Sequence, residues 1–328
     1  MKYSIFIPLT LVICTYANAD ISSFFLDIQQ MDRYGVQQRI NTLNKICKDK
    51  EEHTLVILHA LDKNLNLNNK QLDQVQPYYS CFNKIFFSVE SKKWIGHQGD
   101  WKDSKYYNGI QDKFFIKENI EYSLKNANKI IKKYPNLAFG WYIHYEANLN
   151  YLVNDNIKDS YENYLKSLSE SLYEIKKTNI LWSPTFWTPY NNIPDKNKLV
   201  SNLHDLFKNT PRINWIHFQD FLGQSSYTTC NTLTCDQKNH IFNKNFSNQE
   251  EACKNTVNYY LLLKAATKNT QIKNIKVNMD LYITREEKKH TYLPAPKNII
   301  LNRVKCYQAN NLPIGVSSEM LYWNNENK

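Results

Sequence analysis

Glycine and proline are scarce in this 328-residue chain, at 7 and 10, which excludes collagen-like and flexible-linker architectures. Beyond the N-terminus no stretch approaches the roughly 20 apolar residues of a spanning helix, so a multi-span membrane protein is excluded too. No G-x-G-x-x-G or G-x-x-x-x-G-K follows a candidate strand, which removes the usual phosphate cradles of nucleotide-binding folds. C-x-x-C, H-x-x-x-H and H-x-H spacings are also missing, and no metal or other cofactor is expected. There is no internal repeat of fixed period and no linker between two domains.

Aromatic surface, by contrast, is plentiful. Phe, Trp and Tyr make up 14% of the chain and hydrophobic residues 42%, enough to fill the core of one large domain. Lys and Arg outnumber Asp and Glu by 41 to 31, for a net charge of +10. The basic residues are spread over amphipathic stretches, so they read as a solvated surface, and nucleic acid is not an expected partner.

The N-terminus has the form of an export address. Lys2 precedes an apolar run from Ile5 to Tyr16, and Ala17-Asn18-Ala19 offers a small-x-small cleavage site before Asp20. Residues 1–19 are therefore expected to be a signal peptide, with 20–328 a single secreted or periplasmic domain without stable membrane insertion. Of the 7 cysteines, Cys14 leaves with the signal and an even number remains, which in an exported protein favours disulfides. Cys47 and Cys81 are expected to pair. One bridge is expected among Cys230, Cys235 and Cys253, while Cys306 has no assigned partner.

Short apolar runs alternate with long amphipathic ones. The expected strands are Phe24–Ile28, Thr54–Ala60, Lys84–Val89, Ala138–Tyr145, Ile180–Phe186, Ile213–Phe218, Lys273–Leu281 and Ile314–Met320. The clearest helical patterns are Ile116–Lys133, Ile157–Lys177, Lys196–Lys208, Glu250–Lys268 and Asn298–Ala309. Strands separated by helices pair in parallel, and a count of eight predicts a closed (β/α)8 TIM barrel. Asp62–Phe82 and Gln219–Gln249 read as extended loops, and Glu90–Phe115 lies on the C-terminal face where barrel enzymes place their sites. Its Trp94 would either stack on a sugar ring or merely help close the mouth.

Several strands carry a polar face where an ordinary barrel is apolar on both. Tyr142, His144 and Glu146 alternate with Trp141, Ile143 and Tyr145, and Lys276, Asn278 and Asp280 alternate with Ile275, Val277 and Met279. Period-two geometry puts each set on one side. The apolar sets suit the helix layer, so the polar sets should face inward. Asp27, His59, Ser88 or Glu90, Gln219 or Asp220, Ser317 and Glu319 join them at other strand ends. Buried charges are costly unless they are paired or useful. Two carboxylates across a barrel mouth suit glycosidic cleavage, one donating a proton and the other attacking or activating water. Glu146 and Asp280 are the candidate catalytic pair, with burial beside Tyr142 and His144 raising the pKa of Glu146 and Lys276 helping to keep Asp280 ionised.

Four segments in order, FGWYIHYE at 139–146, WSPTF at 182–186, IHFQD at 216–220 followed by Gly223, and VNMDLY at 277–282, resemble the bacterial barrel family catalogued as domain of unknown function 4434. That family looks like a glycoside hydrolase, and the resemblance spans roughly residues 21 to 323. It implies that Glu146 matches the family's strand-four Glu and that Gln219-Asp220 matches its QD pair. Asp280 stands where the family more often has Glu. The shorter side chain would widen the carboxylate gap from about 5.5 Å towards the inverting range.

The first reading is thus an exported glycosidase-like barrel acting on a carbohydrate. Tyr142, His144, Trp187, Gln219, Asp220, Asn278, Glu319, Trp94 and Trp323 are the candidate substrate-binding residues. A second reading is a non-catalytic glycan-binding barrel. A third is a metal hydrolase using His59, His144, His217 and Asp280.

Overall fold

The apolar runs become eight parallel strands that close on themselves. The computed structural model describes residues 21–29, 36–48, 52–62, 64–89, 110–228, 241–243, 245–285 and 292–316. The expected signal peptide, with Glu90, Trp94, Cys230, Cys235, Ser317, Glu319 and Trp323, lies outside them. The strands are β1 (Ile21–Asp27), β2 (Thr54–Leu58), β3 (Lys84–Val89), β4 (Gly140–Ile143), β5 (Ile180–Trp182), β6 (Ile213–Gln219), β7 (Ser226–Thr228), β8 (Ile241–Asn243), β9 (Asn274–Met279), β10 (Tyr282–Arg285), β11 (Tyr292–Pro294) and β12 (Ile314–Val316). Around the barrel the order is β1-β2-β3-β4-β5-β6-β9-β12, closing back on β1. The (β/α)8 expectation is met. The remaining strands form a small separate sheet in the order β11-β10-β7-β8.

The helices are α1 (Val36–Ile46), α2 (Asn69–Val75), α3 (Lys113–Lys133), α4 (Asp155–Ile175), α5 (Lys196–Asn209), α6 (Leu222–Ser225), α7 (Gln249–Ala266) and α8 (Lys297–Ala309). Four begin where a short polar side chain captures a free backbone N–H. Asp112, Asn154, Asp195 and Asn248 cap α3, α4, α5 and α7 in this way, each stabilising its helix by about 1 kcal/mol.

Several boundaries differ from expectation. The fourth and fifth strands stop early, at Ile143 and Trp182. Pro184 brings no N–H to the ladder, and Thr185 rejoins it only through single bridges to Asn148 and Gln219. The supposed loop Asp62–Phe82 contains α2 and the 3₁₀ turn Gln76–Cys81. Its Asn- and Gln-rich sequence hides an apolar edge, because only Leu72, Val75, Tyr79 and Phe82 are buried in it among the described residues.

Period-two alternation holds inside the barrel. Phe25, Val56, Phe86, Tyr142 and Leu181 form an apolar plug, with Leu58 and Trp215 packed on it. The opposite face of β4 turns outward, where Trp141 Nε1 donates to the Leu172 carbonyl of α4 at 3.1 Å. Gly140 is what lets Phe86 enter the plug. A Cβ at 140 would lie 2.6 Å from Phe86 Cε1 and 2.7 Å from the Asn179 carbonyl.

Lys276 does not serve Asp280. Its Nζ donates instead to Ser22 Oγ at 2.7 Å and to the Ser22 carbonyl at 3.2 Å, near the start of β1, so the long stem carries the charge towards the barrel floor. Burial lowers this amine to about 8, and burial together with the Lys276 charge pushes His217 well below the usual histidine range. The folded amine sheds its proton more readily than the unfolded one. Stability should therefore rise as pH climbs from about 8 towards 10.5, where the unfolded chain binds the extra proton. Lys276→Met is expected to stabilise the protein by about 1–3 kcal/mol at pH 7, with the gain shrinking above pH 8. Urea unfolding at pH 7 and pH 10 measures it, and an equal effect at both would refute the charge-burial account.

Two disulfides tie the outer layer. Cys47–Cys81 forms as expected, with Cα atoms 5.0 Å apart. Cys253, however, pairs with Cys306 rather than with the sixth loop, at a Cα separation of 6.3 Å. α7 and α8 are neighbours, and an early residue of one meets a late residue of the other, a stagger that position within each helix does not reveal. Such bridges suit an oxidising compartment. Among the described residues no helix is long and apolar enough to cross a membrane.

Candidate active site at the barrel mouth

Glu146 reaches the mouth because β4 places every second side chain inward. Tyr142 sits lowest, in the plug and edge-on to Phe25 at 5.5 Å. His144 lies above it, its ring 5.6 Å from that of Tyr142. Glu146 comes last and is half-buried. Gln219, the final residue of β6, donates from Nε2 to Glu146 Oε1 at 2.5 Å. Its own backbone N–H is held by the Pro184 carbonyl at 2.9 Å. Burial raises the Glu146 carboxyl above the ordinary glutamate range, while the Gln219 bond and the charge of His144 pull it partly back. The result is an acid that keeps its proton to higher pH than a solvated glutamate does.

Beside Glu146 runs a polar arc drawn from four consecutive strands. Asp27, at the end of β1, places Oδ1 3.0 Å from Nδ1 of His59, just past β2. The His59 and His144 rings are 5.2 Å apart, and His144 Nδ1 lies 3.1 Å from Ser88 Oγ on β3. Of the two inward candidates on that strand, Ser88 is at the site, and Glu90 lies outside the described residues.

Gln219 and Asp220, neighbours in sequence, face opposite ways. Gln219 turns into the mouth, whereas Asp220, 5% exposed, turns to the helix layer. Its Oδ2 accepts from Tyr307 Oη of α8 at 2.8 Å, and its Oδ1 accepts from the backbone N–H groups of Leu222 and Asp280, each at 3.1 Å. Burial raises its pKa, opposed chiefly by the Arg303 charge. Asp280 follows β9 at 1% exposure. Its Oδ2 accepts from Gly223 N–H at 3.0 Å, and its carbonyl accepts from Arg303 Nη1 at 2.7 Å. Gly223 has to lack a side chain, since a Cβ there would stand 2.7 Å from both Asp280 Cβ and the Tyr282 carbonyl. Asn278 is fully buried below, donating to Ser183 Oγ and the His217 carbonyl.

Trp187 is half-buried and stacks on Phe221, with ring centroids 5.8 Å apart and planes 24° from parallel. Two residues missed in the sequence hold its loop. Asn148 Oδ1 accepts from Trp187 N–H at 3.2 Å, and Asn150 Oδ1 accepts from Thr188 N–H at 3.1 Å. Asn150 also donates to Tyr259 Oη, which itself bonds the Thr188 carbonyl. The available signal was a pair of asparagines spaced by two, directly after Glu146. Phe221 was missed as well. It adopts a left-handed backbone with φ 57°, which alanine-like reasoning from sequence does not anticipate.

The four side chains of the metal reading do not converge. His217 is buried against Ser23 Oγ at 3.4 Å and Asp280 is bound to Gly223. Among the described residues no three metal-ligating groups cluster. One side of the mouth is extended by the small sheet, where β10, just past Asp280, pairs in parallel with β7, which follows α6.

No family model matches the chain, and no curated protein matches it either. Solved structures do. A putative alpha-L-fucosidase from Bacteroides thetaiotaomicron is similar at 12% identity and a TM-score of 0.59, over 91% of this chain and 87% of that one. A GH18 chitinase from Pseudoalteromonas aurantia is similar at 12% identity and a TM-score of 0.50, over 94% and 96%. At such identities the likeness establishes the fold alone, a (β/α)8 TIM barrel.

Proposed function

We propose that the protein is an exported glycoside hydrolase in which Glu146 is the general acid. One observation carries this reading: a half-buried glutamate with a raised pKa at the rim of the fourth strand, clamped by Gln219 in the mouth of a glycosidase-type barrel. A carboxyl in such a setting holds the proton that a departing glycosidic oxygen needs. Asp280, on the same inward parity at the end of β9, is the proposed partner that meets the developing positive charge or activates water. Trp187, backed by Phe221, supplies a rigid face for stacking a sugar ring. The likeness of the 139–146, 182–186, 216–220 and 277–282 segments to domain of unknown function 4434 supports the same assignment. The address at 1–19 and the two disulfides support export.

The near-complete burial of Asp280 favours a second reading, a barrel that binds glycans without cleaving them. A panel of aryl-glycosides and polysaccharides separates the two. Turnover of at least one member is expected. Binding without turnover across the panel would move the protein to the second reading.

A further inference from the structure

The arc beside Glu146 consists of groups that proton transfer does not need. Asp27 and His59 keep side-chain exposures of 12% and 20%, so the pair is reachable from the mouth. Directly beneath lies the apolar plug, which cannot hydrate them, so the polar layer is the floor on which a ligand would rest. His59 also adopts a left-handed backbone with φ 52°, a costly conformation for a residue other than glycine. Asn68 Nδ2 fixes that peptide by donating to the His59 carbonyl at 2.8 Å. The chain thus accepts an unfavourable backbone to set an imidazole against a carboxylate at the mouth. His144 is fixed in turn by Ser88.

We infer that the Asp27–His59 pair, with His144 and Ser88, is the binding subsite for the hydroxyl groups of a neutral sugar ring. This rests on the hydrolase reading only for the ring's place beside Glu146. Imidazole and carboxylate together offer donors and acceptors matched to hydroxyls, which both give and accept hydrogen bonds. Charge narrows the class. Asp27 flanks the arc with a carboxylate, and His59 is already turned to it. A uronate placed there would meet like charge, whereas a neutral ring would not.

The test uses the full chain and methyl glycosides of neutral hexoses, 6-deoxyhexoses and hexuronates, with binding followed by titration calorimetry. The variants are His59→Gly, His59→Asn and Asp27→Asn. Gly and Asn both accept a left-handed backbone, so loss of binding in a normally folded His59 variant reports the imidazole itself. At least one neutral glycoside is expected to bind wild type, with each His59 variant weakening it ~10-fold or more at unchanged thermal unfolding. The matching uronate should bind ~10-fold more weakly than the neutral ring. Variants that bind like wild type, a uronate that binds as well as its neutral partner, or a failure of every glycoside to bind would each overturn the subsite. The hydrolase reading fails separately. Wild type that binds but never cleaves sinks that reading and leaves the subsite standing. Cleavage with an unchanged KM in His59→Gly does the reverse.

Discussion

Glu146→Gln is expected to slow turnover of glycosides with poor leaving groups by about 10² to 10⁴-fold, the scale of general acid catalysis. The amide keeps the shape and removes the transferable proton. Activated aryl-glycosides, whose leaving groups depart with little protonation, should lose much less in the bond-breaking step. The raised Glu146 carboxyl adds a pH signature. Wild-type activity should fall as pH rises through that value, because the deprotonated form cannot donate, and the Gln variant should lack this limb. Asp280→Asn should abolish turnover of both substrate kinds. The measurement is kcat/KM against pH for an alkyl and an activated aryl glycoside of one sugar. Equal losses on the two substrates would show that Glu146 shapes the site without donating a proton.

Removal of Asp220 should be costly in a different currency. Its two oxygens gather the Tyr307 hydroxyl and the N–H groups of Leu222 and Asp280, all buried. Asp220→Ala strands these partners without an acceptor, for an expected loss of about 3–5 kcal/mol and a fall in Tm of roughly 10 °C. Asp220→Asn retains an acceptor for the backbone groups and should lose only about 1 kcal/mol. Calorimetric unfolding of both variants is the check. If Ala proves as mild as Asn, the carboxylate is not the pillar that carries the Asp280 turn.

The same residue shows how far sequence reaches. Polarity alone left Gln219 and Asp220 as equal candidates for the mouth. Strand parity separates them only once the pairing of β6 with β9 is known, which puts Gln219 opposite Asn278. The inward sets of β4 and β9 were legible because alternation over six or more residues has one interpretation. The Cys47–Cys81 bridge was legible because its partners flank adjacent elements. α2 was not, since two buried residues among amides leave hardly any periodic signal. Cys253–Cys306 depends on the stagger of two helices, a tertiary quantity. Tyr142 sits in the apolar plug and Asn278 is fully buried, which alternation could not foretell because period two gives side and not depth.

The small sheet β11-β10-β7-β8 has a bearing on self-association. Closure leaves the barrel with no free edge, so β8 and β11 are the outermost strands of the only sheet among the described residues that ends. An open edge invites pairing with the backbone of another molecule. Among the described residues each edge strand shows three residues. β11 also ends in Pro294, which brings no N–H for a newcomer to accept from. Proline at the end of β11 thus limits the ladder that another chain could build on this edge of the wall beside the mouth.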